Sequence, residues 1–311
     1  MPAFNVVSSI DINVPASRVR EALSDFNTWP IWSPWLIMER ECKVTYKGTA
    51  GELGHGYDWD GQKVGAGGMT LTALDANRLE ADLLFLKPWK SKADIAFDFE
   101  AVDENKTHVK WHMDSSLPFF MFFMLNKMKA MIGGDYNRGL SMLKDYLETG
   151  EVPSKTVVDG VVDVPASLYA GKTYHTSMSD MSDSMGAAFP EVFKAVTDAE
   201  GQINGMPFSI YDNMDIVKKT CRYTAAIPVA ESVSVGHGVQ CSNRTACKAL
   251  KLTHTGPYRH LGNGWSTGMS DMRHAKMKLD KANPPFELYI NDPENTPAES
   301  LITEIYMPIR G

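Results

Sequence analysis

The sequence predicts an α+β protein of two domains, and three patterns support this prediction. Two stretches of the second half, Pro207-Phe208-Ser209-Ile210-Tyr211 and Pro285-Phe286-Glu287-Leu288-Tyr289, repeat one motif about eighty residues apart. In the first half, apolar and polar residues alternate over 95–99 and 109–113, as in a β-hairpin with one apolar face. A helix-like region follows, with an apolar stripe formed by Tyr136, Leu140, Leu143 and Leu147. Both halves therefore combine strands with helices, and the second half is a duplicated unit.

Length and composition also indicate two domains. The chain has 311 residues, which is long for one compact domain and sufficient for two that each bury a core. Six of its seven tryptophans lie before residue 150, and a polar stretch follows at 150–155. We therefore predict one domain at residues 1–150 and another at 157–311.

Charge and hydropathy argue against several kinds of partner. The net charge is -7 and the pI is near 5.6, so the chain lacks the basic character expected of a nucleic-acid-binding protein. The N-terminus has neither a basic start nor a long apolar segment, and we expect a cytoplasmic protein without a signal peptide. The longest apolar stretch, residues 117–125, is too short to span a membrane. We predict that it begins a buried helix.

No motif indicates a metal or a cofactor, and we predict none. His108 and His112 fall on a predicted strand, where they share a face but not the spacing of helical metal ligands. The glycine-rich residues 65–68 lack the Lys-Ser/Thr that follows in a phosphate-binding loop. The four cysteines show no C-x-x-C spacing: Cys42, Cys221, Cys241 and Cys247.

The first half begins with a strand over 4–12, after which Pro15 starts a short helix. An aromatic run at 29–35, alternating strands and the closing helix follow in that order. This order, together with the motifs at 10–16, 25–35 and 139–144, resembles the START-like, polyketide cyclase-like helix-grip superfamily over nearly all of residues 1–150. The resemblance implies a curved antiparallel sheet that wraps a long C-terminal helix.

The resemblance also implies an apolar ligand between the sheet and the long helix. Aromatic residues on the predicted inner face are candidates for lining such a cavity, and an alternative is that they only fill the core. The candidates are Trp59, Phe97, Phe99 and Trp111.

The second half consists of two copies that each contain a strand, a helix and two strands. The first copy has strands over 157–162 and 168–173, a helix with an apolar stripe from Met185 to Val196, and a closing strand over 224–229. The second has a strand over 246–254, a helix predicted to extend from Trp265 to Leu279, and a closing strand over 304–309.

Strand alternation predicts which side chains share a face, because successive residues of a strand point to opposite sides of the sheet. In the last strand the apolar set includes Thr303 and Ile305, which places Glu304 on the face away from the helices, beside Tyr306. The same alternation in the repeated motifs predicts that Tyr211 and Tyr289 lie on the side of Glu304. The residues predicted to face the helices are Phe208, Ile210, Phe286, Leu288 and Ile290. The first copy has Thr224 where the second has Glu304.

The second half resembles the DNA gyrase inhibitor-like family, which also forms the effector-binding domain of bacterial multidrug-sensing transcription activators. The resemblance rests on the residues at 254–258, 285–294 and 301–309, and it covers about 157–311. It implies a duplicated β-α-β-β fold with a central aromatic cleft, where in several members an acidic residue recognises cationic drugs. Some relatives hydrolyse strained cyclopropane-bearing toxins with a cleft glutamate. The matching acid here is Glu304.

A carboxylate among aromatic rings loses hydration, so it either binds an organic cation or has a raised pKa and acts as a base. An alternative is that Glu304 is a surface residue of its strand. We predict a ligand site around Glu304 and, if the protein is an enzyme, Glu304 itself as the reactive carboxylate. Trp265 is an equally good candidate for the core. The predicted ligand-binding side chains of this half are Glu304, Tyr289, Tyr211, Tyr258, Trp265 and Tyr306.

We therefore predict a cytoplasmic, two-domain protein that binds small hydrophobic or cationic organic molecules, for sensing, sequestration or detoxification. One alternative is a hydrolase that acts on a toxic or lipid-like metabolite through Glu304. Another is an interaction module that contacts a protein, as gyrase inhibitors do. A homodimer is left open as the state of assembly.

Overall fold

The computed structural model describes residues 3–87 and 89–310, apart from the side chain of Phe119. The chain divides into two compact units, Met1–Pro153 and Ser154–Gly311. Each unit contains one antiparallel sheet with helices, so the predicted α+β class is confirmed.

The first unit is a seven-stranded sheet followed by a long helix. Its strands are β1 (Ala3–Ile12), β2 (Lys43–Lys47), β3 (Gly56–Asp60), β4 (Ala66–Leu74), β5 (Arg78–Lys87), β6 (Ser91–Asp103) and β7 (Lys106–Ser116). They lie in the order β1-β7-β6-β5-β4-β3-β2. The helices are α1 (Ala16–Ser24), α2 (Trp29–Trp32) and α3 (Leu125–Thr149).

The hairpin β6–β7 places its aromatic residues on the inner face of the sheet, as the alternation predicts. Phe97 pairs with Trp111 across the two strands. The Trp111 ring stacks on Tyr136 of α3 at a centroid distance of 3.9 Å and on Phe97 at 4.8 Å. Helix α3 ends where Gly150 adopts φ 89°, a left-handed conformation that glycine accepts without steric cost.

The four aromatic residues predicted to line a cavity are all buried in this core: Trp59, Phe97, Phe99 and Trp111. Their rings lie within one apolar cluster that also holds residues of α3, so they occupy space that the prediction assigned to a ligand. Within the described part of the chain, three buried polar atoms of this region have no hydrogen-bond partner: Trp32 Nε1, Trp111 Nε1 and the Tyr136 hydroxyl. Such groups are normally satisfied by water or a ligand atom. Ligand binding in this unit stays a prediction.

Residues 117–125 do not begin a buried helix, and that prediction is wrong. Phe119–Met124 form a 3-10 helix that precedes α3. Phe120 is 75%, Phe122 59% and Phe123 73% exposed. Neighbouring aromatic residues point around the helix axis, so one core face cannot cover all of them.

The second unit is an eight-stranded sheet with two main helices. Its strands are β8 (Lys155–Val164), β9 (Ser167–Ser177), β10 (Phe208–Asp215), β11 (Thr220–Pro228), β12 (Gln240–Arg244), β13 (Cys247–Thr255), β14 (Phe286–Tyr289) and β15 (Ile302–Pro308). The helices are α4 (Met181–Asp198) and α5 (Leu261–His274). The strand order is β12-β9-β11-β10-β14-β15-β13-β8.

The duplication is visible in the order of these strands. The first copy is β9-α4-β10-β11 and the second is β13-α5-β14-β15, and they join where β10 pairs with β14. Each copy is also completed by the strand that precedes the other copy, since β8 pairs with β13 and β12 pairs with β9. The two copies are therefore interlocked at both edges of one sheet.

The helix of the second copy is shorter than predicted. Helix α5 ends at His274, and Lys276 then adopts φ 55°, which a continuing helix does not allow. Leu279 instead forms an isolated bridge with Ile309.

The predicted faces are right for β15 and wrong for β10 and β14. In an antiparallel sheet, residues directly opposite each other share a face. Glu287 pairs with Ile305 and Tyr289 with Thr303, whereas Leu288 pairs with Glu304. Tyr289 and Glu287 consequently lie on the helix side, and Glu304 lies on the other side. Tyr211 likewise belongs to the cluster that contains α4. The apolar residues that misled the assignment, Phe208, Ile210 and Phe286, form a separate buried cluster on the opposite face.

We expect fragments 1–153 and 154–311 each to fold alone, because the buried residues of each unit pack into clusters of their own. Each fragment should show a cooperative unfolding transition in urea, and the two transitions together should account for that of the full chain. A fragment that unfolds without cooperativity would show that its boundary is wrong.

Candidate functional site

The second unit contains a carboxylate buried among aromatic side chains. Glu287, on the central strand β14, is 2% exposed. Its Oε1 accepts a hydrogen bond from Trp265 Nε1 of α5. Its Oε2 accepts one from the Tyr211 hydroxyl at 2.6 Å and one from the Tyr289 hydroxyl at 2.9 Å. Three neutral donors thus converge on one carboxylate. Within residues 3–87 and 89–310, no lysine, arginine or histidine forms an ion pair with it.

The Tyr289 hydroxyl connects this carboxylate to the first copy of the repeat. It lies 3.0 Å from Ser209 Oγ as well as close to Glu287. A hydroxyl has one proton, so if Tyr289 donates it to Glu287, Ser209 donates to Tyr289. Ser209 and Glu287 are paired directly across β10 and β14. The site therefore lies on the strand pair that joins the two copies.

Aromatic and sulfur-containing side chains from both helices surround this network. Trp265 of α5 packs edge-on against Tyr211, with ring centroids 5.2 Å apart. Phe189 of α4 packs edge-on against Tyr289 at 5.4 Å, and Met185 Sδ lies 3.8 Å from the Tyr289 hydroxyl. Tyr258, which is partly exposed, contacts the same Tyr289 ring at 5.8 Å. The carboxylate thus lies beneath a cover of apolar side chains that α4 and the start of α5 supply.

Burial raises the pKa of Glu287 above its ordinary value, and the hydrogen bonds from Tyr211, Trp265 and Tyr289 offset only part of this rise. Burial also raises the pKa of both tyrosines well above the usual range, and the negative charge of Glu287 adds to this effect. The tyrosines therefore remain protonated donors, and burial disfavours the charged form of the carboxylate.

Glu39, in the first unit, shows what a buried carboxylate looks like when the protein satisfies it. Burial alone would raise the pKa of Glu39, but three backbone N–H groups donate to it at 2.8–3.0 Å and hold its pKa below the ordinary value. These donors belong to Gln62, Lys63 and Val64, in the turn between β3 and β4. Glu39 therefore fixes that turn. The hydrogen bonds to Glu287 compensate only part of the free-energy cost of its burial, and a ligand can compensate the rest.

Glu304 lies in a different environment. Its carboxylate pairs with Lys251 Nζ at 2.6 Å and accepts a hydrogen bond from the Tyr306 hydroxyl at 2.6 Å. Tyr306 stacks on Phe286 with centroids 4.6 Å apart, on the face of the sheet away from α4 and α5. Lys251 already compensates the charge of Glu304, and a cationic ligand would have to displace it. The ligand role of Glu304 stays a prediction.

The structure brings together four of the side chains predicted for this site: Tyr211, Tyr289, Tyr258 and Trp265. It does not bring Glu304 and Tyr306 to them. Sequence reasoning missed Glu287, although a signal was present in the repeated motif. The first copy has Ser209 where the second has a glutamate, within an otherwise apolar strand that ends in a tyrosine. A charge at such a position needs buried partners.

Helix α4 is weakened next to the site. Pro190 lies inside the helix and has no N–H, so the backbone hydrogen bond to the Gly186 carbonyl is not made. Glycine at 186 lowers helix propensity further. The two residues that cover Tyr289, Met185 and Phe189, fall within this weakened turn. The hydrogen bond that Pro190 cannot make therefore belongs to the turn that carries Met185 and Phe189.

The geometry defines a class of protein: two α+β units, one of which holds an unneutralised carboxylate in an aromatic site. Comparison with known families finds a separate match for each unit. Residues 161–310 match the GyrI-like small molecule binding domain, and residues 3–148 match the polyketide cyclase / dehydrase and lipid transport family. Each half of the chain therefore matches the model of the family that its resemblance predicts. None of the curated proteins searched matched the chain.

Solved structures resemble each half separately. The crystal structure of the EcmrR C-terminal domain is 19% identical, with a TM-score of 0.45, and the match covers 50% of this chain and 98% of that one. The solution structure of the Aha1 dimer from Colwellia psychrerythraea is 21% identical, with a TM-score of 0.36, and the match covers 47% of this chain and 98% of that one. CalU16 from Micromonospora echinospora is 13% identical, with a TM-score of 0.34, and the match covers 48% of this chain and 78% of that one.

Proposed function

We propose that the second unit binds an organic cation between α4 and α5, with Glu287 as the counter-charge and Tyr211, Tyr289 and Trp265 as the aromatic surround. The observation that carries the proposal is a carboxylate 2% exposed whose three hydrogen-bond donors are all neutral. A cation placed there would gain both the charge of the carboxylate and the faces of the rings.

The aromatic rings around Glu287 favour an aromatic or bulky cation over a small one. An ammonium ion is strongly hydrated. Besides Glu287 and Ser209 the site offers it the Tyr211 and Tyr289 hydroxyl oxygens, which already hydrogen-bond to Glu287. A delocalised cation is weakly hydrated, so its transfer into an aromatic site costs less. Entry requires Phe189 and Met185 to move, and the missing hydrogen bond at Pro190 lowers the cost of that movement.

The proposal predicts that Glu287→Gln weakens binding of tetraphenylphosphonium by about tenfold to a hundredfold, which is roughly 1.4 to 2.8 kcal/mol. Glutamine keeps the shape of the side chain and removes its charge. Binding of neutral triphenylphosphine oxide should change little, because it depends on the rings alone. Isothermal titration calorimetry on the full chain measures both ligands.

Glu304→Gln is the matched control, because it removes the same charge from the neighbouring strand on the opposite face of the sheet. We expect it to leave cation binding unchanged. If Glu304→Gln weakens binding and Glu287→Gln does not, the ligand site is the one first predicted around Glu304. If wild type binds the cation no better than the neutral probe, the proposed counter-charge role is wrong.

Hydrolysis of an electrophilic small molecule is a second candidate, and one observation favours it. Glu287 is a buried carboxylate with a raised pKa, which suits a general base that activates water. Turnover of p-nitrophenyl acetate and of small epoxides by wild type, with loss in Glu287→Gln and retention in Glu304→Gln, would support this function. An unchanged substrate after prolonged incubation with wild type would exclude these two substrate classes.

A further inference from the structure

One end of the first sheet exposes a group of large apolar side chains that the candidate site does not use. Phe120, Phe122 and Phe123 belong to the 3-10 helix between β7 and α3, and each exposes more than half of its surface. Large apolar residues exposed in a contiguous group commonly mark an interaction surface.

A second exposed group lies on the hairpin that connects β5 with β6. Leu84 and Leu86, at the end of β5, are 38% and 44% exposed, and Trp89 beyond them is 46% exposed. Trp89 is thus unlike the other tryptophans of this unit, which are buried or partly buried.

The pairing of the strands places both groups at the same end of the sheet. At the base of the β5–β6 hairpin, Phe85 pairs with Ser91. Two residues along β6, Ala93 pairs with Ser115 of β7, whose hydroxyl donates to the Lys92 carbonyl at 2.9 Å. The 3-10 helix begins four residues after Ser115. We call this end the aromatic end, formed by Leu84, Leu86, Trp89, Phe120, Phe122 and Phe123.

The aromatic end is basic in a protein that is acidic as a whole. The two segments that form it, residues 84–93 and 115–134, contain five lysines and neither aspartate nor glutamate, whereas the chain has a net charge of -7. All five lysines are exposed: Lys87, Lys90, Lys92, Lys127 and Lys129. Lys87 pairs with Asp60 at 2.9 Å, an ion pair open to solvent on both sides. The nearest acidic residues in sequence lie outside these segments, at Asp82, Asp94, Asp114 and Asp135.

We propose that the aromatic end docks on the surface of a lipid bilayer that contains anionic lipids. Phenylalanine and tryptophan side chains partition into the interface between headgroups and acyl chains, and lysines beside them reach the negative headgroups. The attachment is peripheral, since no helix within the described ranges is long and apolar enough to cross a bilayer.

Charge favours a bilayer over a second copy of the chain as the occupant of this surface. In a two-fold dimer each aromatic end would face its own copy, which brings five lysines against five lysines. An anionic membrane instead supplies the opposite charge across the whole surface. The proposal is independent of the proposed cation site, which lies in the other unit.

The experiment measures co-sedimentation of the full chain with vesicles of phosphatidylcholine alone and with one quarter phosphatidylglycerol. We expect partitioning onto the anionic vesicles to exceed that onto the neutral ones by about tenfold or more, and high salt to reverse it. The triple variant F120S/F122S/F123S and the double variant K127E/K129E should each lower partitioning by about tenfold or more.

The control is V157S/V161S, which removes two apolar side chains, 45% and 46% exposed, from β8 in the other unit. It should partition like wild type. Because the substituted phenylalanines are exposed, the triple variant should retain the circular dichroism spectrum and melting temperature of wild type. A second readout is quenching by brominated phosphatidylcholine, which should decrease in Trp89→Phe because Trp89 is the tryptophan placed at the membrane.

Equal partitioning onto neutral and anionic vesicles would overturn the proposal, as would partitioning that survives both sets of substitutions. Self-association of wild type without vesicles, lost in F120S/F122S/F123S, would show that a second copy covers this surface and would also overturn it.

Discussion

Replacing Trp111 by alanine is expected to lower the free energy of unfolding of the first unit by about 3 to 5 kcal/mol, the range for removing a large buried aromatic side chain. Trp111 is 1% exposed and stacks between Phe97 and Tyr136. Three more tryptophan rings contact it edge-on at 5.9 Å: Trp29, Trp32 and Trp35. Part of the lost stability is offset, because the substitution also removes the buried Trp111 Nε1. This N–H group has no hydrogen-bond partner in the described part of the chain, so its burial costs free energy.

Urea unfolding followed by tryptophan fluorescence measures this change, since six of the seven tryptophans belong to the first unit. Trp89→Ala is the matched control, because Trp89 is 46% exposed, and it should change stability by less than about 0.5 kcal/mol. Equal effects of the two substitutions would contradict the packing described for Trp111.

A second substitution tests the same contact independently. A Cβ atom on Gly139 of α3 would lie 2.8 Å from Cζ3 of Trp111, so the ring accounts for a glycine within the helix. Gly139→Ala should destabilise wild type and be less costly in the Trp111→Ala background, where the ring is absent and the contact with Pro34 Cδ at 3.0 Å remains. Additive effects would show that the two residues do not share this space.

Stability of the second unit is expected to decrease as the pH falls from about 6.5 to 4, through His254. Burial lowers the pKa of His254 to about 4 from its ordinary value of 6.5, and the nearby His260 contributes in the same direction. Within this window the unfolded chain binds a proton that the folded unit rejects, so acid favours unfolding. The difference corresponds to about 3 kcal/mol, which is present in full above pH 6.5 and lost towards pH 4.

Hydrogen exchange of the β13 and β15 amides, corrected for the intrinsic effect of pH, measures opening of the second unit within the full chain. His254→Asn removes the titrating ring and retains an atom where Nδ1 contacts Thr156 Oγ1 at 3.1 Å. Glu287 acts in the opposite direction, because a raised carboxyl pKa gives stability that is lost as the pH rises. Both wild type and His254→Asn contain Glu287, so its contribution cancels when the stability of one protein is subtracted from that of the other at each pH. A difference that does not vary with pH would show that His254 is not the group responsible.

Several features of the fold are predictable from local sequence because their causes are local. Pro15 precedes α1, the alternation around Phe97 and Trp111 forms a hairpin with one buried face, and the repeated motif marks β10 and β14. In each case spacing between neighbouring residues decides the structure. The prediction of a buried helix start at 117–125 was wrong because its outcome depends on residues elsewhere in the chain. Hydrophobicity indicates that a segment prefers burial, but not whether another part of the protein covers it.

Alternation could not decide which face of β10 and β14 meets the helices. Both faces of these central strands are buried, one within the cluster of Phe208 and Phe286 and the other around Tyr211 and Tyr289. A strand with two buried faces gives no contrast between an inner and an outer set. The acid selected from the sequence was consequently Glu304, and the acid that the rings surround is Glu287.

The sequence by itself predicted the two family matches, the α+β class and the duplication, because motifs and periodicity are properties of the chain. Only the tertiary structure decided that β8 pairs with β13 and β12 with β9 at the edges of the sheet, because these pairs join strands that are distant in sequence. It also decided the environment of Glu287, whose donors come from β10, α5 and its own strand. The sequence identifies each residue that carries a carboxyl group, but the solvation of that group depends on which side chains the fold brings around it.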